Sequence, residues 1–280
     1  MKKNTLKVDQ RAFPIFNKLL IIFVFFISVK FSANAHEILG DDGNNTLHDC
    51  KIINPKVLYS KNNMKTFYNG KNAHHAGAYD TAFRILMPLA EQGHKRAQTG
   101  IGLMYLHGNG VEKNESKALE WFKEATCQNH DWAFYHLGTM YYYGMSVEQS
   151  YEKSFKYFQK ASLINNATAF LNLGHFYQEG KGVQKDDLLA LKNYKKALQL
   201  GELDAAFFLG EILLSSEEIS NDNLIALMWF KVFQLSGNKD VSLIIDFLEK
   251  RISLEDALEA TEMAEKCVLS GYTLCAVRRL

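Results

Sequence analysis

Residues 97–125 read AQTGIGLMYLHGNGVEKNESKALEWFKEA, and the chain repeats this pattern at an interval of 36 residues. An Ala-x-x-x-Ile/Leu-Gly segment precedes a glycine-containing connector, which leads into a segment with alanine and one or two aromatic residues. Most of the same residue types return three more times, although the last copy has Ser215-Ser216 in place of the connector. A fixed period of this length is typical of stacked helix pairs.

Each half of the repeat has helical periodicity. Ala97, Ile101 and Tyr105 fall at i, i+4 and i+8, which is one face of a helix, and Ala118 and Trp121 begin a similar face in the second half. Inside every first helix a glycine follows the Ile or Leu, at a cost in helix propensity of about 1 kcal/mol against alanine. We therefore predict that the paired helix approaches closely at Gly102, Gly138, Gly174 and Gly210.

A second series of residues marks the ends of helices. Glycine and asparagine most readily adopt the left-handed conformation that closes a helix, and they recur every 36 residues at Gly93, Asn129, Asn165, Gly201 and Gly237. The two series together set the boundaries of the solenoid at 64–280. We predict regular units at 94–129, 130–165, 166–201 and 202–237, a variant first unit at 64–93, and a C-terminal cap at 238–280.

The first 35 residues have the order of a secretory signal peptide. A segment with five basic residues precedes an apolar run at 19–29 and the small-residue site Ala33-Asn34-Ala35. We expect residues 1–35 to be removed, the protein to be exported to the periplasm or secreted, and the mature chain not to insert into a membrane. An uncleaved anchor is the alternative, although the run is shorter than the roughly 20 residues that cross a bilayer. Residues 36–63 are polar and without period, which favours an irregular arm.

Charge argues against nucleic acid as a partner. Removal of residues 1–35 takes away six basic residues and one acid, so the net charge changes from +1 to −4. The remaining chain has no basic stripe of the kind that binds a phosphate backbone.

The four cysteines suggest one disulfide clearly and a second by elimination. A continuous helix would separate Cys267 from Cys275 by about 12 Å, beyond the roughly 7 Å Cα limit for a disulfide. Their pairing therefore requires the last helix to end between them, where Gly271 lies. Cys50 and Cys127 form the possible second pair, with a buried thiol at Cys127 as the alternative.

No motif of catalytic or ligand-binding chemistry stands out. Gly108-Asn109-Gly110 and Gly180-Lys181-Gly182 follow no predicted strand and lack the Lys-Ser/Thr of a phosphate-binding loop, so we interpret them as repeat connectors. Four histidines invite a metal hypothesis: His36, His48, His74 and His75. The adjacent His74 and His75 point in different directions on a helix, and no Cys or carboxylate has ligand spacing to either. We expect no enzyme activity, no cofactor and no metal site.

The residues Leu/Ile-Gly, Met-Tyr, Gly-x-Gly-Val and Ala-x-x-Trp/Tyr-Phe at this period resemble the Sel-one-like repeat family, which is related to the tetratricopeptide repeats. The resemblance covers about Phe67 to Asp246, and the end with Cys267 and Cys275 is similar to the tail of secreted bacterial members. It implies an all-α, right-handed α/α superhelical solenoid of about five to six helix pairs with a C-terminal capping helix. It also implies a non-catalytic adaptor of the bacterial envelope, or a secreted one, that binds a protein or peptide on its concave face.

In the related tetratricopeptide architecture the first helix of each pair lines the inner surface. Transferring that face to this chain places Thr99 in the groove and gives seven candidate partner-binding residues: Arg96, Trp132, Tyr135, Tyr142, His175, Phe207 and Glu211. Aromatic side chains of this kind dominate interface energies. The alternative is that the rings fill gaps between repeats.

Two other functions remain open from the sequence. Some cysteine-rich relatives bind or hydrolyse β-lactams, but they join each repeat with a cysteine pair, whereas only Cys127 lies inside the regular units here. The third hypothesis is a periplasmic regulator of a membrane sensor.

Overall fold

The computed structural model describes residues 60–216, 219, 222–238, 240–273 and 275, and these residues form helices without any strand. The helices are α1 (Lys61–His75), α2 (Tyr79–Glu91), α3 (Lys95–His107), α4 (Glu115–Thr126), α5 (Asp131–Tyr143), α6 (Tyr151–Ser162), α7 (Ala167–Glu179), α8 (Asp187–Gln199), α9 (Ala205–Ser215), α10 (Asn223–Leu235), α11 (Ser242–Glu249) and α12 (Leu254–Leu269). The predicted signal peptide and most of the predicted arm lie outside the described residues.

Helices pack in consecutive pairs, as the 36-residue period predicts. From α1 to α10 each odd-numbered helix packs on the next, and each even-numbered helix packs on the first helix of the following pair. Both α11 and α12 pack against α10, and α12 shares the last apolar core. The core lies between the helix layers and is rich in fully buried alanines such as Ala97, Ala118 and Ala133. This arrangement confirms the all-α solenoid.

The recurring glycine inside each first helix is explained by a ring of the paired helix. A Cβ built on Gly174 would lie 2.2 Å from Cε1 of Tyr194, which is closer than any real contact of this kind. The equivalent glycine of each other regular pair meets the ring 20 residues later: Gly102 meets Phe122, Gly138 meets Phe158 and Gly210 meets Phe230. The propensity cost of these glycines is therefore offset by close helix packing.

The backbone between units has the left-handed conformation expected from the sequence. All five residues of the second series have a positive φ, from 50° at Asn129 to 104° at Gly237. Where the third unit replaces the connector glycine by Ser146, this residue keeps a φ of 53°, and its hydroxyl lies 3.1 Å from that of Ser116 at the start of α4. The connector geometry therefore survives the loss of the glycine.

The first helix starts earlier than the sequence predicts. We expected the irregular arm to extend to residue 63, but α1 begins at Lys61, and the hydroxyl of Ser60 accepts a hydrogen bond from the Asn63 N–H at 3.3 Å. The first turn of α1 is polar, so it has no apolar period to detect. The start of α1 is instead marked by its N-cap residue, Ser60.

A disulfide joins Cys267 and Cys275 at the C-terminal end. Their Cα atoms lie 4.3 Å apart because α12 ends at Leu269 and Gly271 turns the chain with a φ of 62°. Cys127 follows the last residue of α4. Its predicted partner Cys50 lies outside the described residues, so that pairing stays a prediction.

Candidate functional site

A cavity of about 350 Å³ opens between the first helices α5 and α7. Its wall combines five aromatic rings with hydroxyl, amide, imidazole and charged groups. The lining residues are Tyr135, Thr139, Tyr142, Tyr143, Phe158, Asn172, His175, Phe176, Glu179 and Lys181. This volume lies at the lower end of the range for small-ligand pockets, so it suits a single side chain better than a folded element.

The α5 wall of the cavity consists of residues spaced i, i+4 and i+7. Tyr135, Thr139 and Tyr142 therefore lie on one helix face. The Tyr135 ring lies 5.6 Å from that of Phe158, and the Tyr142 ring lies 5.8 Å from that of Phe176. The Thr139 hydroxyl donates to the Tyr135 carbonyl at 3.1 Å. Packing against α6 and α7 thus holds the two tyrosine rings in place.

The α7 wall includes a histidine with a defined hydrogen-bonding role. The Tyr194 hydroxyl donates to Oε1 of Gln178 at 2.6 Å and lies 2.9 Å from Nδ1 of His175. A hydroxyl has one hydrogen, so Nδ1 of His175 donates to Tyr194 and Nε2 carries the lone pair. Burial lowers the pKa of His175 below its ordinary value. The imidazole is therefore neutral at pH 7.

A charged pair stands at the end of the cavity. Nζ of Lys181 lies 2.6 Å from Oε2 of Glu179 and donates to the Tyr142 hydroxyl at 3.0 Å. The same ammonium lies 5.5 Å from the ring centre of Tyr142 and 5.7 Å from that of Tyr151. The hydrogen bonds to Glu179 and Tyr142 raise the pKa of Lys181 above its ordinary value. This corner of the cavity is built to hold a cation.

The structure brings three of the seven candidate residues together, since Tyr135, Tyr142 and His175 line the cavity. Trp132 does not line it, but its ring is 45% exposed and lies 5.5 Å from that of Tyr135. Arg96 is exposed on α3 and Glu211 is exposed on α9, and neither lines the cavity.

Two other residues of the predicted groove do not line the cavity. The ring of Phe207 is partly buried and lies 5.6 Å from those of Phe230 and Phe233 on α10, as the ring of Tyr135 lies 5.6 Å from that of Phe158 on α6. Thr99 is buried, and its hydroxyl lies 2.9 Å from Nδ1 of His130 at the start of α5. For Thr99 the transferred face is wrong, because the start of α5 covers this position in this chain.

Sequence reasoning missed the charged corner of the cavity. Lys181 belongs to a connector that we interpreted only as a spacer, and Glu179 ends the helix before it. A signal was present in the repeat alignment, because the residue between the connector glycines is Asn109 in the first copy and Lys181 in the third. Phe158 and Phe176 were also not singled out from the sequence; they belong to the buried core and line the cavity.

Within the described residues, no three His, Cys, Asp or Glu side chains come together as a metal site. The longest helix in this part of the chain has 16 residues, and no helix there has the length and apolarity needed to cross a bilayer.

Comparison with known proteins identifies the repeats. The model of the Sel1 repeat matches four successive segments, residues 95–130, 133–166, 169–202 and 203–231. Residues 95–231 are therefore a run of Sel1 repeats. The four matched Sel1 repeats correspond to the helix pairs from α3–α4 to α9–α10, and the cavity lies between the second and third of them.

Solved Sel1 repeat structures have a similar fold. A Sel1 repeat protein from Oxalobacter formigenes is 27% identical, with a TM-score of 0.60 over 71% of this chain and 84% of that one. The protein c5321, a protective antigen of uropathogenic Escherichia coli strains with this repeat fold, is 24% identical, with a TM-score of 0.59 over 72% of this chain and 46% of its own. This chain therefore spans less than half of that antigen. None of the curated proteins compared with the chain matches it.

Proposed function

We propose that this Sel1 repeat protein is a non-catalytic scaffold that binds a protein or peptide partner over the cavity between α5 and α7. Sel1 repeats typically mediate protein–protein interaction, which gives the general class of function. The aromatic cavity supports this position of the binding site. Two aromatic side chains are exposed beside it, Trp132 to 45% and Tyr143 to 64%. Exposed aromatic side chains next to a pocket are typical of interface hot spots.

We further propose that the scaffold acts in the bacterial envelope or outside the cell. Two features support export: the order of basic, apolar and small residues in 1–35, and the disulfide between Cys267 and Cys275, a bond that persists in oxidising compartments. Fractionation of cells that express the full chain measures this directly. A full-length, unprocessed protein confined to the cytoplasm would contradict the proposal.

Crosslinking in cells followed by mass spectrometry tests the binding face. The variants are Trp132→Ala and Tyr143→Ala, whose side chains are exposed enough that the fold tolerates their removal. We expect each variant to lose crosslinks to partners that the wild type captures. The matched control is Leu188→Ala on α8, which removes a side chain that is 57% exposed and does not line the cavity. If both aromatic variants keep the wild-type set of partners, the assigned face is wrong.

Nothing in the described residues or in the comparisons favours the enzyme alternative. Incubation of purified protein with the chromogenic β-lactam nitrocefin is a direct check, and we expect no turnover above buffer. Turnover that copurifies with the protein and depends on its folded state would replace the scaffold proposal.

A further inference from the structure

The first helices beside the cavity contain acids and no bases. The helices α5, α7 and α9 contain no lysine or arginine, whereas each contains a carboxylate, at Asp131, Glu179 and Glu211. The second helices α6 and α8 carry six lysines against two carboxylates: Lys153, Lys156, Lys160, Lys192, Lys195 and Lys196 against Glu152 and Asp187. The helices α5, α7 and α9 are therefore acidic, whereas α6 and α8 are basic.

One ammonium group already occupies a corner of the cavity. It belongs to Lys181, which lies in the connector between α7 and α8. Nζ of Lys181 contacts the Glu179 carboxylate and the Tyr142 hydroxyl, and it lies 5.7 Å from the ring centre of Tyr151. Ring faces attract cations through the quadrupole of the π-system. The side chains of Lys181 and Glu179 are 38% and 47% exposed, and ion pairs with this exposure are weak. Another cation that reaches the corner can therefore replace Lys181.

We propose that the cavity binds a lysine or arginine side chain from a basic, extended segment of the partner, whose cation takes the position that Lys181 occupies between Glu179 and the rings of Tyr142 and Tyr151. This inference rests on the proposed binding function. The alkyl part of the incoming side chain lies along the partly exposed rings of Tyr135 and Tyr142, since lysine and arginine stems pack well on apolar surface.

Charge complementarity decides against an acidic partner segment. An incoming carboxylate would meet Glu179 in the cavity and Glu211 on the next first helix, and Lys181 is already neutralised by its own ion pair. His175 adds no positive charge because burial holds its imidazole neutral. A basic segment meets favourable charge at Glu179 and Glu211, once its own cation has displaced Lys181 from Glu179.

Fluorescence anisotropy with labelled nonapeptides tests the inference. Three probes have glycine alternating with lysine, glutamine or glutamate, and we expect the lysine peptide to bind tightest. Glu179→Gln weakens its binding by about threefold or more, because the incoming cation loses its carboxylate. Lys181→Gln strengthens it by about twofold or more, because the internal competitor is gone. The second result separates this inference from a general loss of structure, since a damaged site does not gain affinity.

The matched controls are Glu262→Gln and Lys266→Gln. These residues form an exposed ion pair of the same 2.6 Å length on α12, and neither lines the cavity. We expect both controls to bind the lysine peptide as the wild type does. Tighter binding of the glutamate peptide, equal binding of all three peptides, or weaker binding after Lys181→Gln would overturn the inference.

The two proposals fail in different ways. If the peptides show no preference for lysine while the Trp132→Ala variant still loses its partners in cells, the scaffold function stands and the cationic anchor is wrong. If the Trp132→Ala and Tyr143→Ala variants also keep their partners, the assigned binding face is wrong as well.

Discussion

The close approach of α7 and α8 at Gly174 gives a prediction whose magnitude follows from the structure. An alanine Cβ at this position would lie 2.2 Å from Cε1 and 2.5 Å from Cδ1 of Tyr194, whereas ordinary contacts begin at 3.4 Å. Tyr194 is fully buried, and its hydroxyl is tied to Gln178 and His175. The ring cannot swing aside, so the two helices must separate.

The expected loss of stability combines two opposing effects. Overpacking of a core costs about 1–3 kcal/mol, and an overlap of this depth belongs at the upper end. Replacing glycine by alanine inside a helix returns about 1 kcal/mol of propensity. We therefore expect Gly174→Ala to lower the free energy of unfolding by about 2 kcal/mol.

The same substitution at two other helix positions calibrates the effect. A Cβ at Gly138 would lie 3.0 Å from the Phe158 ring, and one at Gly100 would lie 3.6 Å from Leu86. Gly138→Ala should be close to neutral, and Gly100→Ala should stabilise by about 0.5–1 kcal/mol, since only the propensity gain remains. Urea unfolding followed by far-UV circular dichroism measures all three.

A double variant shows whether the Tyr194 ring is the cause. Gly174→Ala combined with Tyr194→Leu should be more stable than the sum of the two single losses, since the smaller side chain leaves room for the methyl group. If Gly174→Ala proves as stable as the wild type, or the double-variant cycle shows no coupling, the explanation of the recurring glycines is wrong.

Three further predictions follow from the helix ends and the buried histidines. Gly201 has a φ of 95° with open space around it, so Gly201→Val should destabilise the protein by about 1–2 kcal/mol through backbone strain alone. Equal melting temperatures of the Gly201→Val and Gly201→Asn variants would contradict this. Asp186 accepts a hydrogen bond from the Leu189 N–H at 2.8 Å, so Asp186→Ala should cost about 1 kcal/mol in urea unfolding, while Asp186→Asn keeps the cap. Burial lowers the pKa of His130 and His136 to about 4, so between pH 4 and 6.5 the unfolded chain binds more protons and stability should fall on acidification. Replacement of both by neutral residues should flatten the fall in melting temperature across that window, and an unchanged slope would argue against these two groups as its source.

Helix pairing is predictable from this sequence because its determinants are local. The spacing of Ala97, Ile101 and Tyr105 marks a helix face whatever packs on it, and glycine or asparagine at a helix end satisfies a backbone requirement at that residue. The recurring glycines also predict where the paired helix packs, because the ring that needs the space belongs to a residue 20 positions later in the same unit.

The binding face is only partly predictable because its residues belong to different repeats. Tyr135, Tyr142 and His175 lie on the expected helix face and do line the cavity. Thr99 was placed on the same face, yet it is buried, and its hydroxyl lies 2.9 Å from Nδ1 of His130 at the start of α5. Register defines a helix face, whereas the neighbouring helix decides whether that face remains open.

The sequence by itself therefore determined the repeat, the helix pairs and the conformation at the helix ends, since each depends on residues close together in one unit. Only the tertiary structure decided that a cavity forms between α5 and α7 and that Lys181 reaches into it from a connector. A long, flexible side chain takes its direction from the groups that pair with it. For Lys181 these are Glu179 two residues away and Tyr142 in the preceding repeat, which only the stacking of repeats brings together.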